Sequence, residues 1–533
     1  MSPRALKLSA VLLVVIAVAA ILSTARVFSG TVDEPAHIAA GMQWLTTDRY
    51  DYDLQHPPLG RIAAAIGPFL KGAHGSAAPG IFDEGASILG SGERYVDVLA
   101  SARLGEIVFF LALVAVVWTW GRRLDGDVGA ALATLFLVTN PNVLAHAGLA
   151  TTDMSCAATT TLALFMGVWW IDDPTPRRSL WFGAAIGAAI GSRLSAIAFV
   201  GGPLVVCYVL RGLASRSWRI DREGKVGRTL VALGSVTLAM LFVTWAAYRF
   251  DVGPMTAGGP RVPAPAFVAG VERFLLHGSS GHPTFLLGTP SNRGWWYYFP
   301  VALLVKTPFP LLIAAVLGTA SAIEGLKKQR DWIGAVPIVS AFTILAISLT
   351  VKVNLGVRLV LPVYPLLAIA GAQGVVSLLR QHGGRAITYA SVGLLLATAI
   401  VIPVRAHPDH LSYFNALAGD HPEHVLVDSN LDWGQDLYRL RDTLAARGVK
   451  DSVLVAYFGT ADLTAAGVPR ARVLGLHERA TGWIAASETY LAGEWVGRAY
   501  AWLLDYEPVA KIGPSMRLWH IRPDSLTTDS SRR

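Results

Sequence analysis

Residues 31–61 read TVDEPAHIAAGMQWLTTDRYDYDLQHPPLGR and follow the first apolar run of the chain directly. The stretch opens on two adjacent carboxylates, Asp33 and Glu34, and closes on HPPLGR, with a histidine, two prolines and Arg61. Such groups are costly beside a bilayer, so each needs water, a partner or a task. The loop is therefore a candidate active site if the segments around it cross a membrane.

Composition supports that condition, because 53% of the residues are apolar and only 15% charged, and the mean hydropathy is +0.46. These values lie outside ordinary soluble usage and imply a polytopic α-helical membrane protein. The formal charge of +8 is no sign of a nucleic-acid partner, since most cations fall in short loops between apolar runs. Cys156 and Cys207 both lie inside apolar runs, where they read as small buried hydrophobes.

The first run, residues 8–27, follows Arg4 and Lys7 and is long enough to span. It continues through Ile21 and Leu22 past the small residues of AVAA, so it reads as a retained start-transfer helix instead of a cleaved signal peptide. Further runs lie at about 99–120, 127–147, 153–171, 180–191, 194–210, 229–249, 297–318, 333–350, 355–378 and 386–404, making about eleven crossings. The pair around Gly191 is short, and one broken helix there would reverse everything downstream. Loop cations favour eleven, with Arg122, Arg123, Arg177, Arg178, Arg211, Arg216, Arg219, Arg222, Lys225, Arg228, Lys327, Lys328, Arg330, Arg380 and Arg385 all on the inner side. The loops at 28–98 and 251–296 and the C-terminal tail then share the outer face. Within the first of them, 36–45 and 59–70 have the spacing of interfacial helices.

Two regions follow: a transmembrane catalytic domain over 1–404 and a soluble outer-face α/β domain over 405–533. The latter alternates VLVDSN, DLYRLRDTLAARG, SVLVAYFG and GWIAASETYL between strand-like and helix-like texture, and ends on a polar TTDSSRR. The glycines at 183–191 read as close helix packing.

Several side chains call for a role. Asp33 and Glu34 precede Pro35, which suits a first helical turn, so the pair either caps a helix or acts as base and acceptor-positioning group. Arg61 lies one turn into the helix after HPP, where a cation grips phosphate or snorkels to ordinary lipid. Arg103 sits in an apolar helix, paired with Glu106 one turn on or facing the same anion as Arg61. Asp153 begins a span as a cap or a site residue. Lys306 and Arg358 are cations within apolar runs, which costs enough to hint at substrate binding or structural support. His37 and His56 are further loop candidates, and His56 is equally a turn-fixing residue. Trp295 and Trp296 suit an interface belt or sugar stacking. His277 and His282 stand five apart on a Gly/Ser loop and are weak metal candidates, which leaves a divalent metal open as cofactor.

DEPAH at 33–37, HPPLGR at 56–61 and an arginine early in the second span, Arg103, resemble the protein O-mannosyltransferase family of the GT-C glycosyltransferase superfamily. GWWYYFPVALLVKTPFP, NLGVRLVLPVYP and DSNLDWGQDL at 428–437 are similar to segments of bacterial phospholipid-carrier-dependent glycosyltransferases. There is no β-trefoil insertion of the eukaryotic mannosyltransferases. The resemblance implies a GT-C fold in a bacterial inner membrane, with the site and C-terminal domain on the periplasmic side. It further implies an inverting transfer of a sugar from an undecaprenyl- or decaprenyl-type phosphate to an acceptor hydroxyl on a glycan, lipid or protein. Asp33 would be the base with Glu34 beside it, and Arg61 and Arg103 would bind the carrier phosphate. An adjacent acidic pair argues against a retaining double displacement, which uses two opposed carboxylates about 5 Å apart. The competing readings are a secondary transporter gated at Lys306 and Arg358, and a non-catalytic glycan-binding membrane scaffold.

Overall fold

The computed structural model describes residues 2–47, 49–92, 94–218, 226–255, 259–328, 330–468 and 470–523. Arg219, Arg222, Lys225 and the TTDSSRR tail lie outside the described residues.

Apolar runs in lipid fold as helices because every backbone polar group must be satisfied within its own segment. The chain begins with α1 (Pro3–Thr24), α2 (Glu34–Thr46), α3 (Pro58–Leu70) and α4 (Ile81–Gly90), then α5 (Tyr95–Val138), α6 (Pro141–Ala147) and α7 (Asp153–Asp172). It continues through α8 (Pro176–Ser192), α9 (Ala196–Ser215), α10 (Val226–Ala247), α11 (Pro265–Ser280), α12 (Tyr298–Lys306), α13 (Phe309–Lys328), α14 (Trp332–Ser348), α15 (Val363–His382) and α16 (Ala386–Ala406). Among the described residues, eight helices are long and apolar enough to cross a membrane: α1, α5, α7, α9, α10, α13, α15 and α16. Leu8, Leu12, Leu230, Phe242, Leu394 and Val404 stay exposed on them, as lipid-facing side chains would.

The eleven expected runs are recognisable but several are broken. Helix α5 contains two of them, joined through non-helical Asp125 and Gly126, whose φ is +66°. The run 127–147 is interrupted before Pro141, which opens α6, and 297–318 is divided at Thr307, before Pro308, where the residue preceding a proline disfavours helix. The run 355–378 starts as a 3-10 turn, Val357–Val360, before α15. Around Gly191 two separate helices form, α8 and α9, with α8 only 17 residues long. The glycines of α8 do serve packing: a Cβ on Gly183 would lie 2.2 Å from the Val236 carbonyl oxygen of α10.

The two loop classes gather at opposite ends of the helices. At one end Arg380 pairs with Asp125 at 2.9 Å, Gln381 donates to Glu324 at 2.8 Å, and Arg123 lies over the Phe165 and Trp169 rings. At the other, Val32 N–H donates to the Trp433 carbonyl at 3.1 Å and Leu287 N–H to that of Val425 at 3.0 Å. There Thr460 donates to the Val32 carbonyl at 2.7 Å and Thr284 to that of Asn354 at 2.7 Å. The loops expected on the outer face thus meet each other.

Helices α2 and α3 occupy almost the expected positions, and α4 joins them. Pro35 to Met42 is buried without interruption, so α2 is a packed helix instead of one lying half in lipid. Gly41 permits this: a Cβ there would stand 2.0 Å from the Arg61 carbonyl oxygen of α3.

Two small hairpins, β1 (Val252–Pro254) with β2 (Arg261–Pro263) and β3 (Thr284–Leu286) with β4 (Thr289–Ser291), decorate this end. Beyond it lies a five-stranded sheet of β5 (Val453–Ala456), β6 (Ala471–Val473), β7 (Gly482–Ser487), β8 (Ala510–Ile512) and β9 (Met516–Ile521), in the order β6-β5-β7-β9-β8. Strand β5 runs parallel to β6 and β7, while β9 is antiparallel to β7 and β8. Helix α17 (Leu437–Ala446) covers one face, where Leu440 and Leu444 meet Val453 and Val455. Leu454 and Ala456 turn to the other, with Trp502, Leu503 and Trp519, which is the two-residue period of a strand buried on both faces. The VLVDSN segment forms 3-10 turns, not the strand its apolar residues suggest. Residues 407–436, between α16 and α17, pack on the helical bundle, with Leu426 in its main core, and the sheet follows them.

Candidate active site

Helix α2 starts at Glu34, and the backbone carbonyl of Asp33 accepts from His37 N–H at 3.1 Å, yet the Asp33 side chain makes no cap. It reaches across the fold instead, to Arg358 Nη1 at 2.6 Å, with 28% of its side chain exposed. The neighbouring Glu34 behaves in the opposite way. Fully buried, it accepts from Arg103 Nε at 2.7 Å and Nη2 at 2.8 Å, from Thr31 N–H and Oγ1 and from Ala150 N–H at 2.9 Å. Burial alone would raise its carboxyl, but Arg103 and those donors hold it below the usual range.

Both oxygens of the Glu34 carboxylate are therefore engaged by protein donors. Arg103 is likewise saturated: its remaining donors go to the carbonyls of Ala25 at 2.8 Å, Phe28 at 3.0 Å and Ser29 at 2.9 Å. It pairs with Glu34 and not with Glu106. In this structure Arg103 thus joins the end of α1, the start of α2 and α5.

Arg61 is also engaged within its own loop. Its donors reach His37 Nδ1 at 3.1 Å, the Tyr50 hydroxyl at 3.1 Å, the carbonyl of Asp53 at 2.8 Å and its carboxylate at 2.5 Å. Only 1% of the residue is exposed. Since Arg61 donates to Nδ1, His37 is neutral, in keeping with burial and Arg61, which push its pKa well down. His56 Nδ1 stands 2.8 Å from Asp53 Oδ2 and its ring meets His37 edge-on at 5.5 Å. Burial would raise the Asp53 carboxyl, but His56 and Arg61 bring it far below its usual value. HPPLGR thus closes the loop on itself.

Asp153 is buried at the start of α7 and bound by Arg193 Nη1 at 2.5 Å and Thr151 Oγ1 at 2.9 Å, with His146 Nδ1 at 3.6 Å. Lys306 is fully buried, donating to the carbonyls of Leu411 at 2.7 Å and Asn430 at 2.6 Å, with its ammonium over the Phe414 ring. It anchors the 407–436 segment. Trp295 N–H donates to Asn354 at 2.8 Å, and Trp296 is 67% exposed. His277 and His282 lie ring to ring at 5.7 Å, and no cluster of three or more metal-ligating side chains occurs among the described residues.

Arg358 differs from the other cations. Its Nε donates to Leu355 O and Nη1 to Asp33, its guanidinium lies over the Trp433 ring at 4.3 Å, and Nη2 makes no hydrogen bond among the described residues. It interacts electrostatically with Asp33, Asp153 and Asp428. Asp428, not singled out by sequence reasoning on its own account, stands in the DSNLDWGQDL segment. In that segment Asp432 accepts from Thr489 N–H at 3.0 Å and Asp436 from Ser515 Oγ at 2.7 Å, both toward the sheet. Burial raises these carboxyls to about 8 and about 6. Asp428 interacts electrostatically with Arg358 instead.

A separate cavity of about 660 Å³, lined by Gln43, Arg49, Asp51, Tyr52, His74 and Glu84 among others, opens at the far end of α2. Asp33 is not among its lining residues; Met42, which is, lies nine residues along the helix, about 14 Å at 1.5 Å per residue.

Residues 95–248, which form α5 to α10, match the family model described as dolichyl-phosphate-mannose-protein mannosyltransferase. Over that stretch the chain is mannosyltransferase-like in sequence, in agreement with the GT-C resemblance of its motifs. No curated sequence matches the chain. Similar solved structures include ArnT from Cupriavidus metallidurans bound to undecaprenyl phosphate, 17% identical, covering 95% of this chain and 97% of that one, with a TM-score of 0.48. The archaeal oligosaccharyltransferase AglB from Archaeoglobus fulgidus, in complex with an inhibitory peptide and a dolichol-phosphate, is 12% identical over 91% of this chain and 70% of that one, with a TM-score of 0.47.

Proposed function

We propose that this protein is an inverting glycosyltransferase of a bacterial inner membrane, which transfers a hexose or pentose from a polyprenyl phosphate of undecaprenyl or decaprenyl type to an acceptor hydroxyl at the periplasmic face. The observation that carries the reading is the Asp33–Arg358 pair, a partly exposed carboxylate 2.6 Å from a buried guanidinium that keeps a vacant donor edge. The family match over 95–248 supports it.

The acceptor O–H attacks C1 of the lipid-linked sugar and gives its proton to Asp33, while the bond from C1 to the phosphate oxygen breaks. Arg358 takes the charge that grows on the departing polyprenyl phosphate. Because Asp33 and an incoming phosphate compete for the same guanidinium, carrier binding loosens the ion pair and frees the carboxylate for the acceptor. One displacement inverts C1.

The test is reconstitution in proteoliposomes with polyprenyl-phosphate hexoses and pentoses, following release of polyprenyl phosphate and of glycosylated product. Wild type consumes at least one such donor and Asp33→Asn does not. Movement of labelled solute across the bilayer without consumption of any lipid-linked sugar would establish a transporter and refute the reading.

A further inference from the structure

Asp428 is 4% exposed, and its backbone takes φ of +53°, a left-handed conformation that aspartate tolerates better than most residues but that still strains a side chain. The turn is clamped from every side. Asp428 N–H donates to Thr489 Oγ1 at 3.1 Å, Ser429 Oγ to Leu355 O at 2.9 Å, and Val357 N–H to Asn430 Oδ1 at 3.2 Å. Asn430 also donates to the Tyr298 hydroxyl at 3.1 Å and accepts from Lys306. Two of these bonds join the Asp428 turn to the residues flanking Arg358, so carboxylate and guanidinium are held in fixed relation. One oxygen of Asp428 accepts from Ser429 N–H. The other accepts no hydrogen bond among the described residues and is not sealed from solvent. Asp33, Arg358 and His282 all act on it electrostatically.

A buried carboxyl with an open oxygen, tied by its turn to the residues flanking Arg358 but making no ion pair with it among the described residues, suits a ligand whose hydroxyls lie next to a phosphate. The sugar of a glycosyl phosphate has that chemistry. We propose that Asp428, supplied by the segment leading into the sheet, hydrogen-bonds a hydroxyl of the lipid-linked sugar and so contributes to recognition of the glycosyl group, an inference that rests on the function proposed above. The segment between the helical bundle and the sheet thereby presents a substrate residue to the membrane-embedded site.

The experiment measures binding of two kinds of probe to the full-length protein in nanodiscs: undecaprenyl phosphate alone, and undecaprenyl phosphate bearing a hexose or a pentose. Asp428→Gly keeps the left-handed turn and removes the carboxyl, and Asp428→Asn keeps the shape. Both variants are expected to bind the bare carrier within twofold of wild type and to lose about tenfold for the glycosylated probe that wild type prefers. Equal loss for both probes, rescue of the glycosylated probe by Asp428→Gly, or no loss at all overturns the inference and leaves the function intact. A wild type that binds no carrier overturns the function itself, and one that binds the bare carrier as tightly as every glycosylated probe overturns the role of Asp428.

Discussion

Glu34→Gln is the substitution that best separates the two adjacent acids. It preserves the shape of the side chain but removes the charge opposite Arg103, two hydrogen-bonded contacts of 2.7 and 2.8 Å in a site where both residues are at most 1% exposed. An amide satisfies one of the two guanidinium edges at best and turns a donor toward Thr31 or Ala150 N–H. Stranding one member of a buried pair costs about 3–5 kcal/mol, or roughly two to three and a half orders of magnitude in the folded-to-unfolded ratio. Arg103 also holds the carbonyls of Ala25, Phe28 and Ser29, so the loss falls on the junction of α1, α2 and α5. The assay is the inactivation half-life of the detergent-solubilised protein at fixed temperature, with Asp33→Asn as control. Glu34→Gln shortens it by orders of magnitude and Asp33→Asn, whose carboxylate is partly exposed, shortens it less. Glu34→Gln combined with Arg103→Gln is expected to cost less than the sum of the singles, since neither then strands a charge. A Glu34→Gln protein as durable as wild type but without turnover would refute the structural role and return Glu34 to the chemistry.

Three further outcomes follow. Asp33→Asn removes the base and lowers transfer by about 10²- to 10⁴-fold without weakening carrier binding, read from single-turnover rates against binding of polyprenyl phosphate. Arg358→Ala weakens binding of polyprenyl phosphate by at least tenfold, whereas Arg61→Ala acts mainly by opening the loop, which limited proteolysis at residues 49–57 detects. The loop itself is expected to loosen as pH falls. Burial holds His37 and His56 below their usual pKa, so the folded loop resists protonation that the unfolded chain accepts. Stability is full above about pH 6.5 and declines below it, and the depressed Asp53 adds a second loss only when pH drops through the ordinary carboxylate range and beyond. Hydrogen exchange of residues 49–61 between pH 7 and pH 4 measures it; protection that rises on acidification would contradict the assignment.

The apolar runs, the loop-charge alternation and the cost of a charge near lipid are local properties, and they made the helical class, the gathering of the large loops at one end and the need of Asp33, Glu34, Arg61, Arg103 and Arg358 for partners legible in the sequence. Breaks within spans were harder to read, since a proline or glycine inside an apolar run changes hydropathy little while ending a helix. Strands β8 and β9 went unread for a related reason: AKI and MRLWHI are short and gain their identity from pairing with each other and with β7. What the sequence by itself determined is which groups are too costly to be idle. Which partner each of them meets was decided by tertiary structure, because the partners are far apart in the chain: Glu34 meets Arg103 across 69 positions, and Asp33 meets Arg358 across 325. A saturated arginine and one with a vacant edge look alike in sequence. Only the folded chain, by bringing carbonyls and carboxylates to Arg61 and Arg103 but leaving one edge of Arg358 vacant, tells them apart.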